Sequence, residues 1–483
     1  MNHQKTYING QWREANGAVT TDLVDSYTEA VFARVRTSSL SDVDLAVASA
    51  RAAWPAWSRQ STGARAAALQ RVAAALVARS DALIEAISRE VGMPRKLVRR
   101  IQVEAPIAAW RRYAELAVTL DEPVRIGHSI VERVPTGVVA CITPWNYPLH
   151  QITAKVAPAL AAGCAVVLKP SEIAPLSAFL LADAIAAADL PAGVFNLVHG
   201  HGEDIGDALV RHADVDMISF TGSTAAGRRI AATAGSQLKR LGLELGGKSA
   251  SVVLPGADLA QAVKATLASC LLNSGQTCSA STRLLVPRDD HAVVIALLRA
   301  QMGSYVMGDP AATTTRLGPL VSAQQRARVT SMIDAALVAG AEVIAGGHRA
   351  QPVPPHGFFV PPTVLGNVTS AMPIAQQEVF GPVLVLMAYD TVADAVAIAN
   401  DTRYGLAASV WGATPEAAHG VARALRAGQV DINGALFNPD APFGGFGDSG
   451  VGRENGPYGL EAFVETISYQ LPAGYAGRGS NIH

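Results

Sequence analysis

From Gly137 onward the chain alternates short apolar runs with longer segments of helical spacing, and this alternation restricts the fold more than any other feature. The runs at 138–142, 165–168, 195–198 and 217–220 are separated by helical stretches such as 152–161 and 177–188. Four or five apolar residues without polar alternation indicate a strand covered on both faces. Linked through helices, such strands predict a parallel α/β sheet whose ligands gather at the carboxyl ends of the strands. At 483 residues the chain is too long for one core. A second α/β segment follows Gly246-Gly247, with strands expected at 251–254, 283–286, 342–345 and 383–387.

Ahead of this alternation, residues 42–120 read as successive amphipathic helices, with Ala46, Ala50, Ala53 and Trp57, then Leu69, Val72, Leu76 and Leu83, at helical spacing. Beyond Pro123, Val124, Ile126, Ile130, Val131 and Val134 alternate around Gly127-His128, predicting a β-hairpin. The tail Ile467-Ser468-Tyr469-Gln470-Leu471 reads as one strand with nothing local to pair with, so pairing with another subunit is expected.

Composition excludes several classes. Hydrophobic residues at 49% and charged residues at 16% argue against disorder. With 39 Lys+Arg against 40 Asp+Glu there is no basic excess for nucleic acid. The N-terminus lacks an apolar signal core and no window reaches membrane-spanning length, so a cytoplasmic protein without a membrane partner is expected. Cys141, Cys164, Cys270 and Cys278 show no CxxC spacing, which disfavours structural zinc; no metal is expected.

Three glycine loops compete for a phosphate-binding role. Gly445-Phe446-Gly447-Asp448-Ser449-Gly450 fits GxGxxG by letter but follows Pro442-Phe443 instead of a strand. Gly200-His201-Gly202 follows a strand, with Gly206 one residue too far. Gly222-Ser223-Thr224-Ala225-Ala226-Gly227 follows the 217–220 run directly and opens a helix near Thr224, so a helix N-terminus would face the anion. At the end of the 165–168 run, Lys169 and Glu172 are placed to donate to and accept from ribose hydroxyls. A carboxylate there would repel a 2′-phosphate and favours NAD over NADP.

Cys278 lies in Asn273-Ser274-Gly275-Gln276-Thr277-Cys278-Ser279-Ala280, whose small polar residues leave its sulfur reachable. Cys141, Cys164 and Cys270 read as core thiols. A thiolate can attack an aldehyde to form a thiohemiacetal, which loses hydride to become a thioester. Hydrolysis then needs a base, and Glu244, set between two leucines, would have a raised pKa suited to that work. Asn146, between Pro144 and Pro148, offers an amide for the oxyanion, with the Cys278 N–H as second donor.

Seven segments, at 144–148, 169–172, 220–227, 244–249, 275–278, 378–382 and 442–454, resemble in order and spacing the successive motifs of the aldehyde dehydrogenase superfamily. The resemblance implies a Rossmann-like NAD-binding domain (1–119 and 138–245, with 441–464 returning to it) and an α/β catalytic domain (246–440). It also implies an oligomerisation element (120–137 and 465–483) and a homodimer or homotetramer. It assigns the same roles to Cys278, Glu244 and Asn146, and places Glu378 on the nicotinamide ribose with Phe380 beside the ring. The expected cofactor contacts are then Thr143, Trp145, Lys169, Ser171, Glu172, Gly202, Phe220, Gly222, Ser223, Gly227, Leu245, Glu378 and Phe380.

Two positions depart from the pattern. Gly447 stands where many members carry Lys, and Ala154 where several place a bulky aromatic in the substrate tunnel. With Tyr147, Phe437 and Phe443 as the remaining lining, Ala154 leaves room for medium-size or aromatic aldehydes. Three other readings carry less weight. A CoA-acylating enzyme needs no Glu244, a non-catalytic relative would not need all three reactive residues, and a cysteine hydrolase would want a His near Cys278.

Overall fold

The computed structural model describes residues 2–347 and 352–473. Its first large sheet has eight strands, in the order Gly450–Val451, Arg240–Glu244, Met217–Thr221, Val138–Ile142, Ala165–Lys169, Phe195–Leu197, Lys5–Ile8 and Gln11–Glu14. The five inner strands from Arg240–Glu244 to Phe195–Leu197 are parallel, and antiparallel strands close both edges. Alternate residues of one strand enter different cores. Val138, Ala140 and Ile142 pack with Val43, Val47 and Leu243, while Val139 and Cys141 pack with Leu69, Trp110 and Phe179. Burial on both faces is why this strand reads as one apolar run, each large side chain contributing about 1.5–3 kcal/mol.

The second sheet has seven strands in the order Glu342–Gly346, Thr363–Gly366, Val383–Tyr389, Ser281–Pro287, Ser249–Val253, Ala407–Trp411 and Gln429–Ile432. All neighbours are parallel except the first pair. The four strands anticipated here are present, with ends that differ from the expectation by up to two residues. Arg240–Glu244 was not anticipated, because Arg240, Gly242 and Glu244 break up its apolar pattern. The strands before residue 37 also left no signal, being short and largely polar.

The hairpin forms as Val124–Ile126 and Ser129–Pro135. The tail strand, expected to pair with another subunit, has its partner within the chain. Val464–Gln470 pairs antiparallel with Ser129–Pro135 of the same chain along its whole length, completing a three-stranded sheet. Periodicity along the sequence could not reveal a partner more than 300 residues away. The final part of the proposed oligomerisation element, 474–483, lies outside the described residues. Among the described residues, no helix is long and apolar enough to cross a membrane.

Candidate active site

Three neighbouring parallel strands deliver their carboxyl ends to one cleft. Val138–Ile142 leads into Thr143-Pro144-Trp145-Asn146, Met217–Thr221 into Gly222-Ser223, and Arg240–Glu244 into Leu245-Gly246. The cleft, about 190 Å³, is lined by Pro144, Trp145, Asn146, Thr221, Gly222, Ser223, Leu245 and Gly246 from this side. Cys278, Gln325, Arg328, Glu378 and Phe380 close it from the other. Ser223 caps helix Thr224–Gly235, its hydroxyl accepting from the Ala226 N–H, so the helix N-terminus opens toward the cleft.

The glycines of this loop act through packing. A Cβ at Gly222 would strike the Phe220 ring, and one at Gly227 would lie 2.5 Å from Leu245 Cδ2. Gly227 therefore lets the helix sit directly on Leu245. Lys169 is buried and pairs with Glu172 at 3.0 Å. Burial holds the Lys169 ammonium below its usual range; it is also the largest influence on Glu172 and opposes its charge, but Lys169, a backbone hydrogen bond and His201 together keep that carboxyl low. Ser171 is buried beside them, and its hydroxyl accepts from the Ile173 N–H. Gly202 begins a short π-helical turn, Gly202–Gly206, with open space where a Cβ would be.

The loop before Cys278 is held in an unusual backbone. Asn273, Ser274 and Gly275 have φ of 51°, 54° and 77°. Such left-handed residues cost about 1–3 kcal/mol each where they are not glycine, and persist only when surrounding bonds over-determine them. Here Asn273 Nδ2 donates to the Asn146 carbonyl, and Ser274 Oγ to the Gly318 carbonyl. Gln276 Nε2 donates to the Asn273 carbonyl while its Oε1 accepts from the Val321 N–H. Asn146 Nδ2 donates to the Gln276 carbonyl at 3.0 Å, and Tyr147 Oη lies 2.7 Å from Thr277 Oγ1. Asn146 and Tyr147 are thus tied to the residues immediately before Cys278.

Cys278 is the only cysteine among the four that is not fully buried. Burial of its sulfur and the nearby carboxyls of Glu378 and Glu244 push its thiol up to about 12, against a smaller opposing effect from the Ser279 N–H. Its own N–H has no acceptor among the described residues.

Glu244 is 5% exposed and its Oε2 has no hydrogen-bond partner among the described residues. Burial, then the Glu454 carboxyl, raises it well above the carboxylate range, while Lys155 and Arg453 oppose. Lys155, on helix Pro148–Ala162, makes a buried ion pair with Glu454. This cluster borders a second cavity of about 260 Å³ that contains Glu244, Arg453 and Glu454 among its walls. Glu378 Oε1 accepts from the Gly247 N–H, and burial raises its carboxyl to about 7. Trp145 and Phe380 meet edge-to-face at 5.3 Å.

The arrangement brings together a thiol, two protonatable carboxyls, a side-chain amide and an apolar floor. Thr143 Oγ1 and Thr221 Oγ1 are buried at the strand ends, beside the capped helix, without partners among the described residues. A flat heteroaromatic group and a diphosphate fit these donors and this floor. A model of the aldehyde dehydrogenase family matches residues 12–468. The chain belongs to that family.

This aldehyde dehydrogenase is 42% identical over 464 residues to a 3-succinoylsemialdehyde-pyridine dehydrogenase from a Pseudomonas species, an alignment covering 96% of this chain and 97% of the relative. A mutant of aldehyde dehydrogenase C from Pseudomonas syringae, solved with NAD+ and octanal, superposes with a TM-score of 0.94 at 47% identity, covering 97% of this chain and 96% of that one. The NAD+ complex of an aldehyde dehydrogenase from Bacillus cereus gives 0.93 at 36%, covering 97% and 96%.

Sequence reasoning missed Gln325 and Arg328 of this dehydrogenase. They lie three residues apart on helix Ala323–Val338, where Gln325 Nε2 donates to the Phe380 carbonyl and Arg328 to that of Glu378. It also missed Lys155 and Glu454, 299 positions apart. Only the charge of Lys155, the sole Lys, Arg, Asp or Glu of its helix, hinted at a role. Of the expected tunnel residues, Ala154 and Tyr147 lie on one face of Pro148–Ala162 and its N-cap, both buried. Phe437 and Phe443 pair with each other at 6.2 Å, and Phe443 exchanges backbone hydrogen bonds with Glu454.

Proposed function

We propose that the enzyme oxidises an aldehyde to its carboxylic acid with NAD, Cys278 being the nucleophile, Asn146 the oxyanion donor and Glu244 the base. The observation that carries this is the cleft itself, where Cys278 and Asn146 stand against Trp145, Ser223, Glu378 and Phe380. The residues suit a nicotinamide dinucleotide: Ser223 and its helix for the diphosphate, Lys169 and Glu172 for the adenosine ribose, and Glu378 for the nicotinamide ribose. Glu172 favours NAD over NADP, and NAD+ is the cofactor in both relatives' complexes.

Because the Cys278 thiol is held high, attack requires its proton to pass to the nearby Glu244 carboxylate as the aldehyde engages, and from there to solvent before hydrolysis. The developing oxyanion receives hydrogen bonds from Asn146 Nδ2 and the Cys278 N–H. The bound nicotinamide supplies the acceptor for the hydride whose loss converts the thiohemiacetal to a thioester. Glu244 then takes a proton from water as the oxygen attacks the thioester carbon, and collapse expels the Cys278 thiolate and releases the acid. The neighbouring Glu454 and Lys155 act on the charge of Glu244 from opposite directions, Glu454 holding its carboxyl up and Lys155 opposing.

Ala154 and the Phe437–Phe443 pair support medium-size or aromatic aldehydes over acetaldehyde. Of the two relatives at 47% and 42% identity, one was solved with octanal bound and the other is a 3-succinoylsemialdehyde-pyridine dehydrogenase, octanal and that semialdehyde both being compounds of that size. Glu244→Gln should retain a burst of NADH but slow steady turnover by two or more orders of magnitude, about 10²-fold. Undiminished steady turnover would remove Glu244 from the mechanism and favour a thiol such as CoA as acyl acceptor. In a panel of aldehydes with both cofactors, kcat/KM for octanal or an aryl aldehyde should exceed that for acetaldehyde. The reverse order overturns the size preference.

A further inference from the structure

The GxGxxG-like segment 445–450, a 3-10 turn at Gly447–Ser449 that runs into the edge strand Gly450–Val451, is built into the frame of the catalytic base. Ser449 is fully buried. Its Oγ donates to the Gly246 carbonyl at 2.7 Å and accepts from the Gly405 N–H at 3.0 Å, while its carbonyl accepts from the Leu245 N–H at 2.9 Å. Gly450 then pairs across the strand with Glu244 itself. The residues just after Glu244, which line the cleft and carry the Gly247 N–H that holds Glu378, are thereby fastened to Gly405 of the second sheet's side.

Its neighbour Asp448 reaches the helix that begins at Ser223. Both carboxylate oxygens accept from Arg228, at 2.8 and 2.7 Å, its carbonyl accepts from Thr224 Oγ1, and Arg403 lies 3.4 Å away. The glycines make the loop possible. Gly447 and Gly450 have φ of 57° and 130°, and a Cβ at Gly445 would crowd both Ser449 and the Gly405 carbonyl.

We propose that segment 445–450 is a positioning clasp that sets the Glu244 strand and the Ser223 helix in register with the Cys278 side, with Ser449 and Asp448 as its positioning residues. The proposal rests on the reading of Glu244 as base and of the Ser223 helix as cofactor support. Removing the Ser449 hydroxyl leaves the Gly246 carbonyl, two residues beyond the base, and the Gly405 N–H opposite it without their shared partner. Removing the Asp448 charge frees the helix while leaving the base in place.

The test is pre-steady-state kinetics on the full-length enzyme. Ser449→Ala should keep its NADH burst, lose about tenfold in the steady phase and shift the pH profile of that phase; Ser449→Cys, a weaker donor, should fall between. Asp448→Asn should raise the KM for NAD severalfold with kcat retained, an effect that shrinks in high salt. A change in either readout supports the clasp. The proposal is overturned if Ser449→Ala, or Ser449→Cys should Ser449→Ala not fold, keeps the wild-type burst-to-steady ratio and pH profile, losing only Tm, and Asp448→Asn keeps the wild-type KM. Glu244→Gln in the same assay separates the two readings. If it slows the steady phase while the clasp variants behave as wild type, only the clasp is wrong.

Discussion

Cys278 was recognisable by its small polar neighbours, yet its protonation state was not. The sequence around it shows no carboxylate, whereas the fold brings Glu378 and Glu244 close enough to oppose its ionisation. With the thiol at about 12, the thiolate fraction rises tenfold per pH unit throughout the neutral range. Alkylation by iodoacetamide, followed by mass spectrometry in the absence of NAD, should therefore climb between pH 7 and 9 without a plateau, by about a hundredfold. Replacing Glu378 with Gln removes one opposing charge and should speed alkylation at a fixed pH. A plateau below pH 8 would mean that the thiol ionises more easily than its surroundings imply. The raised pKa of Glu244 was legible from two flanking leucines, but its coupling to Lys155 and Glu454 was not, since those partners arrive from a distant helix and the C-terminal loop.

At the scale of elements, burial alone did not decide legibility. Met217–Thr221, where every residue is buried, announced itself, whereas the equally buried Thr363–Gly366 did not. Arg240–Glu244, half-buried beside the short edge strand Gly450–Val451, did not, although it carries the base. The left-handed turn before Cys278 was likewise hidden, because only Gly275 among its three residues advertises positive φ. Gly275 also faces the Gly381 carbonyl, where a Cβ would collide. Gly275→Ala should accordingly cost about 1–3 kcal/mol in thermal or denaturant unfolding and displace Cys278, lowering kcat more than it raises KM for aldehyde. Wild-type kinetics and stability in this variant would show that the turn tolerates a side chain and does not set the nucleophile.

The three-stranded sheet poses a question that only the whole molecule can answer. It stands apart from both large sheets, and its strands present Val124, Ile126, Ile467 and Tyr469 at 54%, 63%, 39% and 44% exposure. Among the described residues no strand pairs with the outer edge of Val124–Ile126 or of Val464–Gln470, so both the apolar side chains and the backbone edges face outward. Exposed edges beside apolar side chains are an aggregation hazard for a monomer and a natural seat for a second copy. The local pairing of the tail changes how such a copy would dock. The hairpin and tail form a finished sheet, so a partner would meet a preformed surface without exchanging strands. Sedimentation should therefore find a dimer or tetramer at micromolar concentration. Ile126→Lys combined with Tyr469→Lys should shift it toward monomer, because two charges in an apolar contact are costly to desolvate. Since Cys278, Glu244 and Glu378 all lie on elements of the two large sheets or the loops between them, the dissociated variant should keep its NADH burst while losing thermal stability. A wild-type enzyme that sediments as a monomer would show that this sheet shields itself by some means other than self-association.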